Sequence, residues 1–154
     1  MVHPMRRADK QLSAKAALEL LKAGEFGIIS SVDAVGQPYG VPVNYVLYQG
    51  CIDFHSATEG HKIDNFKAND RVSFCVVGKT KVLPERLSTR YESVIVFGRV
   101  SEKKGSHKSD SLRELVKKLA PDHIEAGEKA IKNSFKATRV FSISIDSITG
   151  KAEE

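Results

Sequence analysis

A short segment near the middle of the chain carries residue types that suit phosphate binding. It reads Phe54-His55-Ser56-Ala57-Thr58-Glu59-Gly60-His61-Lys62 and runs from the end of a predicted strand into a predicted helix. The first N–H groups of a helix lack partners within the helix and attract anions. Gly60 lets the backbone approach a ligand closely, Lys62 is a permanent cation and Ser56 offers a hydroxyl donor. The segment therefore predicts a phosphate site.

The same pattern also suits a surface helix without a ligand, in which Lys62 is solvated and His61 is hydrogen-bonded. A metal shared by His55 and His61 would lack a third protein ligand, so we expect no metal site. Cys51 and Cys75 are far apart in sequence and form no CxxC pair, which argues against a zinc site. We expect both cysteines to be buried, reduced thiols.

Length, charge and hydropathy limit the classes of protein to which the chain could belong. Its 154 residues, 41% of them hydrophobic, predict one domain spanning residues 1–154. The formal charge of +5 is spread out: residues 1–50 hold 5 basic and 4 acidic side chains, 51–100 hold 8 and 6, and 101–154 hold 11 and 9. We therefore expect no nucleic-acid partner. No apolar run approaches the roughly 18 residues of a membrane span, and the first residues lack a secretory pattern, so we expect a cytoplasmic protein without a membrane partner.

Alternation and turn residues predict six strands and several helices around the phosphate segment. The strands are predicted at 26–32, 41–48, 51–56, 71–77, 93–100 and 140–145. The helices are predicted at 13–22, after an N-cap at Thr58, at 109–119, and within 123–135. The polar insert 78–90 is long for a simple hairpin and is a candidate for function.

The order of these elements predicts a mainly β fold with peripheral helices. Most strands follow one another through links of hairpin length, which favours an antiparallel sheet closed into a barrel. A doubly wound sheet would alternate strand and helix throughout. The glycines form neither GxGxxG after a strand nor a Walker A loop, so the two common nucleotide-binding folds are not supported.

Three stretches and the C-terminal segment give the sequence a recognisable pattern. They are Gly36-Gln37-Pro38-Tyr39-Gly40-Val41-Pro42-Val43-Asn44-Tyr45, the segment Phe54–Lys62, Arg90-Tyr91-Glu92-Ser93-Val94-Ile95-Val96-Phe97-Gly98, and Ile148-Thr149-Gly150-Lys151. The chain resembles the FMN-binding split barrels related to pyridoxamine 5′-phosphate oxidase, and among them the nitroimidazole-resistance-like group. The resemblance extends over about residues 6 to 151. It implies a six-stranded antiparallel split β-barrel.

The resemblance also implies a cofactor and a partner. FMN would lie in a groove between the two barrels of a homodimer. Val41, Pro42, Val43 and Asn44 would line the isoalloxazine ring, and His55, Ser56 and Ala57 would follow the ribityl chain. Gly60, His61 and Lys62 would bind the phosphate.

Some positions leave alternatives open. Arg90, Tyr91 and Ser93 would either face the cofactor from the partner subunit or simply begin a strand. Tyr39 would either stack near the flavin or be a strand aromatic, whereas Tyr45 is expected to be a strand aromatic. His61 stands where related oxidases present an arginine, so phosphate affinity is expected to be weaker and pH-dependent.

Three functions remain compatible with the sequence. The first is an FMN-dependent oxidoreductase that takes a small-molecule substrate and an electron donor. In the resembling group the implied reaction reduces a nitroaromatic compound such as a nitroimidazole. The second is a flavin carrier or sensor without turnover, and the third is the same fold binding haem or a deazaflavin.

Overall fold

A computed structural model describes residues 3–153, which form one curled antiparallel sheet with helices packed around it. The helices are α1 (Ala14–Ala23), α2 (His61–Ala68), α3 (Gly105–Leu119) and α4 (Ile124–Ser134). The strands are β1 (Phe26–Val32), β2 (Pro38–Asn44), β3 (Val46–Tyr48), β4 (Cys51–Ser56), β5 (Arg71–Leu83), β6 (Ser88–Lys103) and β7 (Arg139–Glu153). The predicted mainly β fold with peripheral helices is confirmed. No helix among residues 3–153 has the length and apolar character needed to cross a membrane.

The sheet has seven strands rather than the predicted six because the strand predicted at 41–48 is two strands. They separate at Tyr45, whose side chain is fully buried and whose hydroxyl donates to the Leu21 carbonyl. The strand order is β2-β1-β5-β6-β7-β4-β3, so the two halves lie at opposite ends of the sheet. A bend of one residue therefore lets the sheet curl round and bring its two ends together, as expected of a split barrel. Tyr45 was predicted to be a strand aromatic, whereas it lies between two strands with its side chain buried in the core.

The insert predicted at 78–90 is not a loop. It forms the extended arms of β5 and β6, which pair from Thr80↔Tyr91 to Leu83↔Ser88 around a short 3-10 turn. Its side chains are mostly exposed on both faces, so the segment lacks the apolar alternation that predicts a half-buried strand.

One face of the sheet and α1 enclose the main core. The core includes Phe54, Phe74 and Ile143, with Ala17 and Leu21 of α1 packed against them. Ser13 begins α1, since its hydroxyl accepts from the Ala16 N–H at 3.2 Å. On the opposite face, α3 covers β3, β4 and β7 through Leu112 and Leu115. Cys51 and Cys75 are free thiols, but each is half-buried rather than buried.

Candidate functional site

The predicted phosphate segment joins the C-terminal end of β4 to the start of α2. β4 ends at Ser56, residues 57–60 form an exposed connection, and α2 begins at His61. The predicted N-cap at Thr58 is wrong, because the residue before the helix is Gly60, with φ 141° and ψ 164°. Other residue types rarely adopt this conformation, and a Cβ at Gly60 would meet no atom within 4 Å. The glycine thus leads the chain into the helix while leaving the space in front of it open.

The start of α2 presents unpaired backbone donors to this open space. Its first helical hydrogen bonds run from the Ile63 and Asp64 N–H groups to the Gly60 carbonyl, at 2.9 and 3.2 Å. The N–H groups of His61 and Lys62 precede these bonds and have no partner within the helix. No side chain of the described residues caps this end of α2. The helix start therefore offers two donors and a favourable dipole to an anion.

Ser56 adds a hydroxyl that lacks a partner among residues 3–153. Its side chain is 6% exposed, and its Oγ is buried without a hydrogen bond. Leaving a buried hydroxyl unpaired costs about 1–3 kcal/mol. A polar ligand that reached this oxygen would remove that cost, and the role of Ser56 beside a ribityl or phosphate group remains a prediction.

Burial and the charge of Lys62 both act on His55 in the structure. Packing around the His55 ring lowers its pKa from 6.5, and the positive charge of Lys62 lowers it further. His55 keeps an exposed edge despite this packing. We therefore expect a neutral imidazole at neutral pH, with Lys62 as the permanent cation of the site.

Contacts with α2 bring the edge strand β2 to the phosphate segment. The Tyr39 ring on β2 lies 4.1 Å from the His61 ring, centroid to centroid, with an angle of 32° between the planes. The Asn65 side-chain amide of α2 donates to the Ser31 hydroxyl of β1 at 3.0 Å in the buried interior. Tyr39 is therefore a strand residue whose ring contacts the phosphate segment. Whether it also stacks near a flavin, as the sequence left open, remains a prediction.

The four residues predicted to line the flavin ring lie on β2. Val41 and Val43 are partly buried against the core, whereas Pro42 and Asn44 are exposed. The Asn44 amide donates to the Glu25 carbonyl at 3.0 Å, so its side chain is fixed in place. Among residues 3–153, β2 pairs only with β1, which leaves the backbone of its other edge free to meet a ligand. The structure brings β2 to the phosphate segment through Tyr39, and the contact of residues 41–44 with a flavin ring remains a prediction.

The remaining three predicted site residues lie elsewhere in the fold. Arg90, Tyr91 and Ser93 belong to β6, which runs between β5 and β7 and is two strands from β4. Ser93 lines a cavity of about 580 Å³ on the outer face of the sheet, together with Lys151. No contact among residues 3–153 places these residues beside the phosphate segment, and their proximity to a cofactor from a second copy remains a prediction.

One residue next to the segment gave no signal in the sequence. Arg139, the first residue of β7, donates from Nη1 to the Thr58 carbonyl at 3.2 Å. The two residues are 81 positions apart, and the predicted final strand began one residue after Arg139. Only the pairing of β4 with β7 brings them together.

A family profile described as pyridoxamine 5′-phosphate oxidase matches residues 13–152. The chain belongs to the pyridoxamine 5′-phosphate oxidase family. The resemblance inferred from the sequence motifs is thereby confirmed at the level of the family. No curated protein matches the sequence.

Solved structures similar to this family member differ in what they bind. A candidate 5-nitroimidazole antibiotic resistance protein from Bacteroides thetaiotaomicron is 21% identical, with a TM-score of 0.75 over 94% of this chain and 90% of that one. An FAD-binding protein from Mesorhizobium loti is 26% identical, with a TM-score of 0.65 over 94% and 98%. An FAD- and haem-binding protein from Mycobacterium smegmatis is 19% identical, with a TM-score of 0.82 over 94% and 74%. The likeness to the first and third supports the fold alone.

Proposed function

We propose that the protein binds FMN, with the flavin phosphate at the start of α2. The observation that carries this proposal is the arrangement of the segment 56–62. It combines an unpartnered Ser56 hydroxyl, an open Gly60 turn, the free N–H groups at the start of α2 and the Lys62 cation. These groups match the charge and the hydrogen-bonding needs of a phosphate dianion. Family membership supports the choice of a flavin nucleotide.

The residues would divide the work of binding along the cofactor. His61, Lys62 and the N–H groups of α2 would hold the phosphate, and His55, Ser56 and Ala57 would follow the ribityl chain. The free edge of β2 at 41–44 would run along the ring system. In the homodimer that we propose, Arg90, Tyr91 and Ser93 of a second copy would complete the site, and both copies would exclude water from it.

Bound FMN would supply hydride chemistry, and the protein would supply position and electrostatics. We propose an oxidoreductase acting on a small molecule, with nitroaromatic compounds as the first substrate class to test. The likeness to the Bacteroides protein supports that choice only through the shared fold. A flavin carrier without turnover is the competing function.

FAD is the second candidate cofactor, because the Mesorhizobium protein, whose match covers nearly its whole length, is described as FAD-binding. The two cofactors share the phosphate next to the ribityl chain, and the same segment would therefore bind either. Titration of cofactor-free protein with FMN, FAD, riboflavin and haemin separates these candidates. We expect FMN to bind most tightly, and tighter binding of FAD or haemin would overturn the FMN proposal.

Catalysis is tested by reducing the flavin-loaded protein without oxygen and adding a nitroimidazole. An oxidoreductase for this class should be reoxidised faster with the nitro compound than with a matched imidazole that lacks the nitro group. Equal rates would favour the carrier. Light scattering of the protein as it elutes from a size-exclusion column tests the homodimer. A monomer at micromolar concentration would contradict it.

A further inference from the structure

A half-buried ion pair anchors the connection between β4 and α2. Arg139 Nε donates to Glu102 Oε1 and Arg139 Nη2 to Glu102 Oε2, both at 2.9 Å. The two side chains are each 26% exposed. Such two-point pairing fixes the plane of a guanidinium much better than a single contact does. It leaves Nη1 of Arg139 aimed at the Thr58 carbonyl.

The same arginine contacts the strand residue before the connection and a residue within the connection. Arg139 is the partner of Ser56 in the β4–β7 ladder, and its side chain reaches Thr58 two residues further on. The guanidinium also lies 5.1 Å from the Phe141 ring centroid, which supports it from one side. Residues 57–60 are otherwise exposed. Arg139 therefore restrains a stretch that has little packing of its own.

We propose that Arg139, oriented by Glu102, is a positioning residue that holds residues 57–60 in the conformation that binds the flavin phosphate. The inference rests on the proposed function and adds a residue pair to which no role had been assigned. The inference concerns the phosphate end of the ligand only, because Arg139 contacts Ser56 and Thr58, which lie in the phosphate segment.

The sign of the Glu102 charge makes this role testable. Hydrogen bonding from Arg139 lowers the pKa of Glu102, so the carboxylate is ionised at neutral pH. If only the overall field mattered, removing this negative charge would strengthen the binding of a phosphate dianion. If Glu102 instead orients Arg139, its loss releases the arginine and weakens binding. Positioning and simple electrostatics therefore predict opposite effects.

The experiment compares Glu102→Gln and Arg139→Lys with the parent, using FMN and riboflavin as probes. Riboflavin has the ring and the ribityl chain but no phosphate. We expect the FMN affinity of both variants to fall about five- to tenfold, and the riboflavin affinity to change less than about twofold. Arg139→Lys keeps the charge but not the planar fork, so it should not rescue FMN binding.

Matched controls come from another arginine–glutamate pair. Arg113 Nε donates to Glu128 Oε1 at 2.7 Å between α3 and α4, on an exposed surface. We expect Glu128→Gln and Arg113→Lys to leave both affinities unchanged. Thermal unfolding of each variant without flavin shows whether the fold is intact.

Each result supports or overturns the inference. A selective loss of FMN affinity in both Glu102→Gln and Arg139→Lys supports positioning. Tighter FMN binding by Glu102→Gln, or full affinity in Arg139→Lys, would overturn it. Equal losses for FMN and riboflavin would also overturn it, because they indicate general damage. A parent protein that binds no flavin would instead overturn the proposed function itself.

Discussion

Replacing Lys62 by alanine tests the phosphate assignment through one side chain. Lys62 lies in the first turn of α2, is half-buried and affects the pKa of His55. The substitution removes a cation without adding bulk and replaces it with a good helix former. The helix should therefore persist while the site loses its permanent positive charge.

The expected loss follows from the strength of a charged hydrogen bond. Such a bond contributes about 1.5–3 kcal/mol, and partial exposure of Lys62 favours the lower end of that range. A loss of about 1.5–2 kcal/mol corresponds to a Kd for FMN about 10- to 30-fold weaker. Riboflavin, which lacks the phosphate, should lose less than about twofold in affinity.

The assay is titration of cofactor-free protein, followed by quenching of flavin fluorescence. Lys67→Ala is the control, because Lys67 lies in the same helix, is 66% exposed and pairs with Asp64 at 2.9 Å. We expect it to change FMN affinity less than about twofold. An NMR titration adds an independent reading: without the Lys62 charge the pKa of His55 should rise, while packing still holds it below 6.5. Unchanged FMN affinity in Lys62→Ala, or an equal loss of riboflavin affinity, would refute the assignment.

Three further predictions concern the turn, the histidine and the core. Gly60→Ala should weaken FMN binding because φ 141° strains any residue with a Cβ. Gly50→Ala, at φ 75° in the turn at the opposite end of β4, should lower stability without changing FMN affinity, and equal FMN affinity in both variants would count against the role of Gly60. His61→Ala should weaken FMN binding because it removes the ring that packs against Tyr39 at the start of α2; unchanged FMN affinity in that variant would exclude a contribution from the His61 side chain. Tyr45→Phe should lower the free energy of unfolding by about 1–2 kcal/mol, because the buried Leu21 carbonyl loses its donor, and denaturant unfolding would detect the change. No change in that unfolding curve would show that the hydroxyl contributes nothing.

Local sequence patterns predicted the elements that local forces determine. β1 at Phe26–Val32 and β4 at Cys51–Ser56 have the predicted bounds, since apolar alternation identifies a strand with one face in the core. The helix predicted at 13–22 forms as α1 (Ala14–Ala23), with Ser13 as its N-cap. For the site, the pattern placed the phosphate segment at a strand-to-helix junction, and the structure confirms that junction.

Contacts between distant residues account for what the patterns missed. Thr58 is a favourable N-cap by residue type, but the helix begins after Gly60, and Arg139 from β7 holds the Thr58 carbonyl. Tyr45 has the propensity of a strand residue, yet its side chain enters the core under α1 and separates β2 from β3. Neither outcome has a signature within a short window of sequence.

The arm formed by the ends of β5 and β6 was missed for a different reason. Its strands are stabilised by pairing with each other, and residues such as Val82 and Leu87 are exposed at 68% and 97%. An arm without a buried face shows no alternation, so its polar sequence predicts a loop.

Identification of the bound cofactor tests the central claim most directly. The protein would be purified from cells without added ligand, its visible absorption recorded, and the released small molecule identified by mass spectrometry. We expect a flavin spectrum and FMN as the released species, with Lys62→Ala purifying largely without it. A Soret band from haem, or protein that neither contains FMN nor binds it when FMN is added, would contradict FMN binding at the start of α2.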